Sequence, residues 1–294
     1  MNFFVRVKEP VFLSFNSTIF FKVKILVKVL CQRTLARVLL IKTRYPHRLV
    51  FIAGLPKSGT TWLENLVGAI PGYRRLVCYD LNNKLLSHQL DPAVVEVLPS
   101  RGNFFTKTHI EASLEGVEAL EKNNVPTVIM VRDLRDQCVS RFYHVLNDSN
   151  HRHHEFYSYG NRSDAFSHCI EVALDEYLLW INGWLEVANN NNKLFLIVRY
   201  EDLYSAPKCQ FKKVLSHFGV VLAGETIDKI IASVRISSRK GKDLKDRLKT
   251  HKNTLRQGGS GSWKKHFSLS DVANFKLRAS QQLIELGYES DDQW

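Results

Sequence analysis

The stretch Leu49-Val-Phe-Ile-Ala-Gly-Leu-Pro-Lys-Ser-Gly-Thr-Thr-Trp62 constrains this chain more than any other. Leu49 to Ala53 is an uninterrupted apolar run, which predicts a strand buried on both faces, as in a parallel sheet. Gly54 and Pro56 break it. After Gly59, Trp62, Leu63, Leu66 and Val67 recur at helical spacing. A strand, a tight Gly-containing loop and a helix start form an anion site, because the first-turn amides point at the loop and the helix dipole favours negative charge there. Lys57 adds a cation, and Ser58, Thr60 and Thr61 add hydroxyls. An ordinary strand-to-helix turn would not need this set.

Gly54 and Gly59 have the separation of a nucleotide P-loop, but Thr60 stands where that loop carries its lysine, and Lys57 lies inside the turn. This disfavours Mg²⁺-dependent triphosphate chemistry and leaves anion binding intact. The charge map narrows partners further. Net charge is +12, and residues 1–48 contribute nine of it, with ten Lys/Arg and one acid. The other 246 residues hold 31 basic and 28 acidic side chains, so the body is no broad nucleic-acid binder. Five scattered cysteines without a Cys-x2-Cys pair point to a reducing compartment, with no disulfide scaffold or zinc ribbon.

Residues 1–47 read as a basic, apolar extension preceding a domain over 48–294. Its longest uncharged run, Pro10 to Phe21, is twelve residues, against the roughly twenty that a spanning helix needs. A packed helical layer is preferred over two alternatives: an amphipathic segment on an anionic membrane surface, and a transit peptide. Location is expected to be cytoplasmic, with peripheral membrane association as the variant.

In the body, Asn103–His109, Val125–Arg132 and Lys193–Arg199 read as further strands. Helices are expected over Glu111–Asn123, after Asp133 or Asp136 as cap, from Ser163-Asp164 to about Ala188, and over Pro207–Phe218, Glu225–Val234 and Asp271–Leu286. Pro71–Gly102 reads as irregular, with helical pieces near Leu81–Gln89 and Ala93–Leu98. Arg235–Trp263 reads as a long functional loop. Alternation of strands and helices predicts a single α/β domain with a parallel central sheet flanked by helices. His151-Arg-His-His154 invites a metal reading. A solvated polar loop is preferred, since no acid or Cys ligand set accompanies the histidines. Phe166, Tyr177, Trp180 and Trp184 read as the core face of the long helix.

Four separated segments, taken in order, resemble the sulfotransferases that use PAPS (3′-phosphoadenosine 5′-phosphosulfate), of the cytosolic type. Pro-Lys-Ser-Gly-Thr-Thr-Trp62 resembles their 5′-phosphosulfate loop. The resemblance implies that Lys57 contacts the sulfate and leaving phosphate. Ser58, Gly59, Thr60 and Thr61 would bind the 5′-phosphate, and Trp62 would stack on adenine. Lys107-Thr-His109 looks like the family's Lys-Thr-His, which makes His109 the catalytic base beside Lys107. Arg132, with Ser140 eight residues on, resembles the 3′-phosphate site, and Tyr200 the residue reaching the adenine side. Arg256-Gln-Gly-Gly-Ser-Gly-Ser-Trp-Lys-Lys-His-Phe267 is similar to the family's closing segment, which assigns Arg256, Gln257 and Gly258 to the cofactor. Gln257 stands for a lysine there, removing one cation, and Ser262 for an aspartate. The dimerisation motif that usually follows is poorly matched at Ser268-Leu269 and Ala273. The likeness covers about residues 48–288.

The expected activity is therefore sulfuryl transfer from PAPS to a hydroxyl or amine of a small-molecule, lipid or carbohydrate acceptor. His109, Lys57 and Lys107 would be catalytic, and no metal is required. Neutral imidazole can take a hydroxyl proton near pH 7. The alternatives are a P-loop-type nucleotide kinase and a membrane-associated PAP/PAPS-binding protein without activity. The sequence does not specify the acceptor.

Overall fold

The computed structural model describes residues 42–76, 101–234 and 260–294. Five parallel strands make one sheet in the order β2-β3-β1-β4-β5: β1 Leu49–Gly54, β2 Tyr73–Arg75, β3 Asn103–Thr108, β4 Thr127–Val131 and β5 Phe195–Arg199. All six β1 residues are buried, as the apolar run requires. Their side chains alternate between two cores. Val50 and Ile52 face one, with α1 (Thr60–Gly68), α7 (Pro207–His217) and helical residues 224–234. Leu49, Phe51 and Ala53 face the other, with α2 (Leu114–Lys122), α3 (Leu134–Leu146), α5 (Arg162–Asn190) and α9 (Leu269–Glu285). Here α8 denotes residues 224–234.

The chain passes from β1 to the edge strand β2 and back to β3 on one side, then crosses to β4 and β5 on the other. The direction of winding reverses at β1. In open parallel sheets that reversal leaves a crevice at the strands' carboxyl ends, and Lys57, His109 and Arg132 follow three adjacent strands there.

The expected aromatic face of α5 is core: Tyr177, Trp180 and Trp184 are at most 2% exposed. Trp180 and Trp184 both donate their indole N–H to the Ile110 carbonyl, at 2.6 and 3.0 Å. Each buried ring contributes about 1.5–3 kcal/mol, and the shared bond fixes the backbone one residue past His109.

Several local expectations change. Tyr73–Arg75 forms an edge strand inside the stretch read as irregular; three residues are too few to show a period. The polar loop around the histidines contains a short helix, α4 (His154–Tyr159), and Tyr200–Ser205 forms α6. The long helix is capped by Asn161, whose side chain accepts from the Ser163 and Asp164 amides. Asp133 caps α3, and Asp136 is engaged elsewhere. The readings at Leu81–Gln89 and Ala93–Leu98, most of the extension, and Arg256, Gln257 and Gly258 lie outside the described residues. Residues 44–47 are stapled to the body. Asn103, fully buried, accepts from the Arg44 and Tyr45 amides and donates to the Tyr45 and His47 carbonyls.

Candidate active site

The loop after β1 is shaped by its glycines. At Gly59, φ is +94°, and a Cβ there would lie 2.5 Å from the Tyr200 ring. At Gly54, a Cβ would lie 2.3 Å from Thr60 Cγ2 and 2.8 Å from the Met130 carbonyl. Neither site admits a side chain. Lys57 itself sits at φ +72°, a conformation that non-glycine residues adopt at a cost of about 1–3 kcal/mol and that clusters at functional sites. No side chain caps α1, and its first turn contains no acid, which leaves the helix N-terminus available to an anion.

The Ser58 hydroxyl is fully buried and donates to the Leu55 carbonyl at 2.8 Å. It braces the loop. Thr60 is buried and Thr61 is exposed at the helix start. Gln137 donates from Nε2 to the Pro56 carbonyl at 2.9 Å, tying the loop to α3. Lys57 is pushed below the ordinary lysine range by burial, and the Arg132 charge acts in the same direction.

Arg132, at the end of β4, donates from Nη1 to the Lys57 carbonyl at 3.2 Å. Its guanidinium lies over the Tyr200 ring, 4.7 Å from the centroid. Trp62 meets Tyr200 and Tyr204 edge-on, with centroids at 6.0 and 6.4 Å. Lys57, Gly59, Trp62, Arg132 and Tyr200 therefore form one constellation. Ser140 lies half-buried on α3, two turns past the Asp133 cap.

His109 follows β3 on the other side of β1. Its Nδ1 is hydrogen-bonded to the Gly54 carbonyl. A carbonyl only accepts, so Nδ1 carries the proton and Nε2 keeps its lone pair in the neutral ring. Lys107 Nζ approaches that Nε2 at 3.4 Å. Burial lowers the Lys107 pKa; Glu64 opposes the shift and Arg75 reinforces it. Glu64 and Arg75 are themselves paired at 2.7 Å.

Three supporting groups escaped the sequence reading. Glu201 accepts from the Asp133 amide at 3.2 Å and from the Tyr288 hydroxyl at 2.9 Å, joining the ends of β4 and β5. Asp136, 1% exposed, accepts from the Gly261 amide, the Ser262 hydroxyl and the Trp263 amide at 2.6, 2.8 and 2.9 Å. Ser262 thus donates to a buried carboxylate, a role that the family's aspartate could fill only if protonated. His144 is the third. Burial lowers its pKa first, and the Lys57 charge second.

Among the described residues, no cluster of three or more His, Cys, Asp or Glu side chains could hold a metal. His153 stacks on Tyr157, and meets His151 at a tilt and His168 edge-on. Among those residues, no helix is long and apolar enough to cross a membrane.

This parallel α/β architecture, with an anion loop at the winding reversal and a histidine one strand away, is that of a group-transfer enzyme fold. The sulfotransferase domain model matches residues 47–287, and the chain belongs to that family. It is 26% identical to rabbit (Oryctolagus cuniculus) sulfotransferase 1C2, over 75% of this chain and 78% of that one. It is 24% identical to rat (Rattus norvegicus) sulfotransferase 1A1, over 84% and 88%. The fold is similar to that of mouse sulfotransferase SULT7A1 complexed with PAP, with a TM-score of 0.63 and 19% identity over 82% of this chain and 86% of that one. It is also similar to retinol dehydratase in complex with androsterone and PAP, with a TM-score of 0.56 and 17% identity over 80% of both chains.

Proposed function

We propose that this sulfotransferase uses PAPS as donor, binds it without a metal, and transfers the sulfuryl group to a hydroxyl or amine of its acceptor with His109 as general base. PAPS supplies the sulfuryl group and a phosphate leaving group, and departs as PAP. Lys57, the α1 amides and the hydroxyls of Thr60 and Thr61 hold its 5′ end. Trp62 and Tyr200 flank the adenine. Arg132 and Ser140, with Arg256, Gln257 and Gly258, hold the 3′-phosphate.

The observation that carries the reading is the hydrogen bond between His109 Nδ1 and the Gly54 carbonyl. The ring's Nδ1–H is committed to that carbonyl, in the loop that would carry the sulfuryl group. That leaves Nε2 as the basic atom. His109 Nε2 takes the acceptor proton as the acceptor oxygen or nitrogen bonds to sulfur and the bond from sulfur to the 5′-phosphate oxygen breaks. Lys57 neutralises charge gathering on that bridging oxygen, and Lys107 steadies the sulfuryl oxygens. Preorganised charge of this kind supplies most of the barrier reduction in such transfers.

The chain is assigned to the cytoplasm. Residues 1–47 are proposed as an extension to the catalytic domain, with an anionic membrane surface as the alternative to a packed helical layer. Vesicle co-sedimentation with and without them tests that point; equal sedimentation would remove it. The reaction itself is tested by transfer of ³⁵S from labelled PAPS to an acceptor panel without added metal. Transfer by wild type and its loss in His109→Ala, with PAP binding retained, is the expected result. Near-wild-type turnover of His109→Ala would remove His109 from the mechanism.

A further inference from the structure

The first turn of α3 grips two separate segments of chain. Gln137 donates from Nε2 to the Pro56 carbonyl at 2.9 Å, in the loop after β1. The residue before it, Asp136, meets the closing segment instead. Its Oδ2 accepts from the Gly261 amide at 2.6 Å, and its Oδ1 from the Ser262 hydroxyl and the Trp263 amide at 2.8 and 2.9 Å. Successive helix residues point about 100° apart, so neighbouring positions can serve different segments. Ser140 lies four residues past Asp136 and three past Gln137, and so shares a face with both. Arg132 stands just before the Asp133 cap of the same helix.

Asp136 is 1% exposed, and a buried carboxylate is costly unless donors satisfy it. Here the donors come from a remote stretch, so carboxylate and stretch are ordered together. Gly261 sits at φ +79°, a conformation that glycine adopts freely. Arg135 lies against the Trp263 ring, 4.1 Å from its centroid. Two successive α3 residues thus anchor Gly261 to Trp263. Gly258 precedes Gly261 by three residues, at most about 11 Å of extended chain. Whatever anchors Gly261 therefore limits how far Gly258 can stand from α3.

We propose that Asp136 is a positioning residue for the donor: it fixes the closing segment against the helix that carries Ser140, so that the two together receive the 3′-phosphate. This rests on the PAPS reading above and assigns a residue that acts through Gly261–Trp263, without touching the nucleotide itself. α3 then serves as a spacer. Gln137 ties down the 5′ loop and Asp136 the 3′ side, and the separation of the two phosphate sites is built into one helical turn. The role has a specific signature. Asp136 matters for the 3′-phosphate and little for the rest of the nucleotide, whereas a residue needed only for folding would weaken every nucleotide alike.

Calorimetric titration of the full chain with PAP and with AMP, which lacks the 3′-phosphate, reads this as a ratio of affinities. Asp136→Asn replaces one accepting oxygen by an NH2 group that opposes the donors facing it. It is expected to lower PAP affinity by about tenfold or more, with AMP affinity held within about twofold. Ser262→Ala keeps the carboxylate and both amide bonds. It is expected to lose about threefold toward PAP alone, and to add nothing in the Asp136→Asn background. Gln137→Met, which frees the Pro56 carbonyl, is expected to weaken PAP and AMP equally. An unaltered ratio in Asp136→Asn, or an equal loss of both nucleotides, would overturn the proposal; should that variant not fold, the same outcomes in Ser262→Ala overturn it. A ratio shifted as far by Gln137→Met would overturn it too, since the two residues would then not serve different ends. A wild type that does not distinguish PAP from AMP removes the donor reading and this proposal with it, whereas a preference that survives Asp136→Asn removes only the role of Asp136.

Discussion

Arg132 and Arg135 lie three residues apart on the turn that leaves β4, yet they meet different surroundings. Arg135 is 2% exposed, forked onto both oxygens of Asp133 at 2.9 and 2.7 Å, and paired with Glu289 at 2.5 Å. The Trp263 and Trp294 rings pack against it, at 4.1 and 4.4 Å. Arg132 turns instead to the anion loop and to Tyr200. One guanidinium is sealed into the scaffold, and the other borders the crevice. A charged residue at a strand end is thus not by itself a sign of ligand binding; its partners decide.

Variants on the two sides should therefore fail differently. The largest effect is expected for His109→Ala: turnover falls by about 10²–10⁴-fold, the usual size of general-base catalysis. Its stability should stay within about 1 kcal/mol, because the ring is only partly buried. Urea unfolding beside ³⁵S transfer checks both. Arg135→Leu should do the reverse. It leaves Asp133 and Glu289 without their cation and should cost about 3–5 kcal/mol in urea unfolding; an unchanged midpoint would mean that the sealed pair is dispensable. Lys57→Ala should lose about 10²–10³-fold in kcat/KM, since a preorganised charge at the leaving oxygen is removed.

A smaller and more specific effect concerns pH. Lys57 is charged below its folded pKa, which burial and Arg132 depress. As pH rises through that lowered value, the cation and the rate are lost together. The alkaline limb of kcat/KM should therefore fall below the ordinary lysine range, about 10.4. Bound phosphates favour the charged form, so the limb of kcat itself should lie higher. Lys57→Arg should abolish the early limb; if it persists there, another group titrates.

The parts of this arrangement that were legible in the sequence are those fixed by local chemistry. The Leu49–Ala53 run needs a buried strand, Gly54 and Gly59 need positions without a Cβ, and Trp180 and Trp184 sit at core spacing. The positions of Lys57, His109 and Arg132 were legible because each follows a strand at its carboxyl end, where a parallel sheet gathers its functional groups. Partners set by tertiary contact were not legible. Nothing local shows that Arg135 is sealed by Glu289, or that Asp136 holds Gly261 to Trp263 across more than a hundred residues. Three-residue β2 and six-residue α4 are too short to carry a period.

The claim at the centre is that the turns after β1 and β4 form one cradle for an adenosine phosphorylated at both ends. Calorimetric titration of PAP and of AMP, which lacks the 3′-phosphate, into wild type and Arg132→Gln tests it most directly. Wild type should bind PAP at least tenfold more tightly than AMP, and Arg132→Gln should erase most of that preference while still binding AMP. Equal affinity of wild type for the two nucleotides, or an undiminished preference in the variant, would contradict the account.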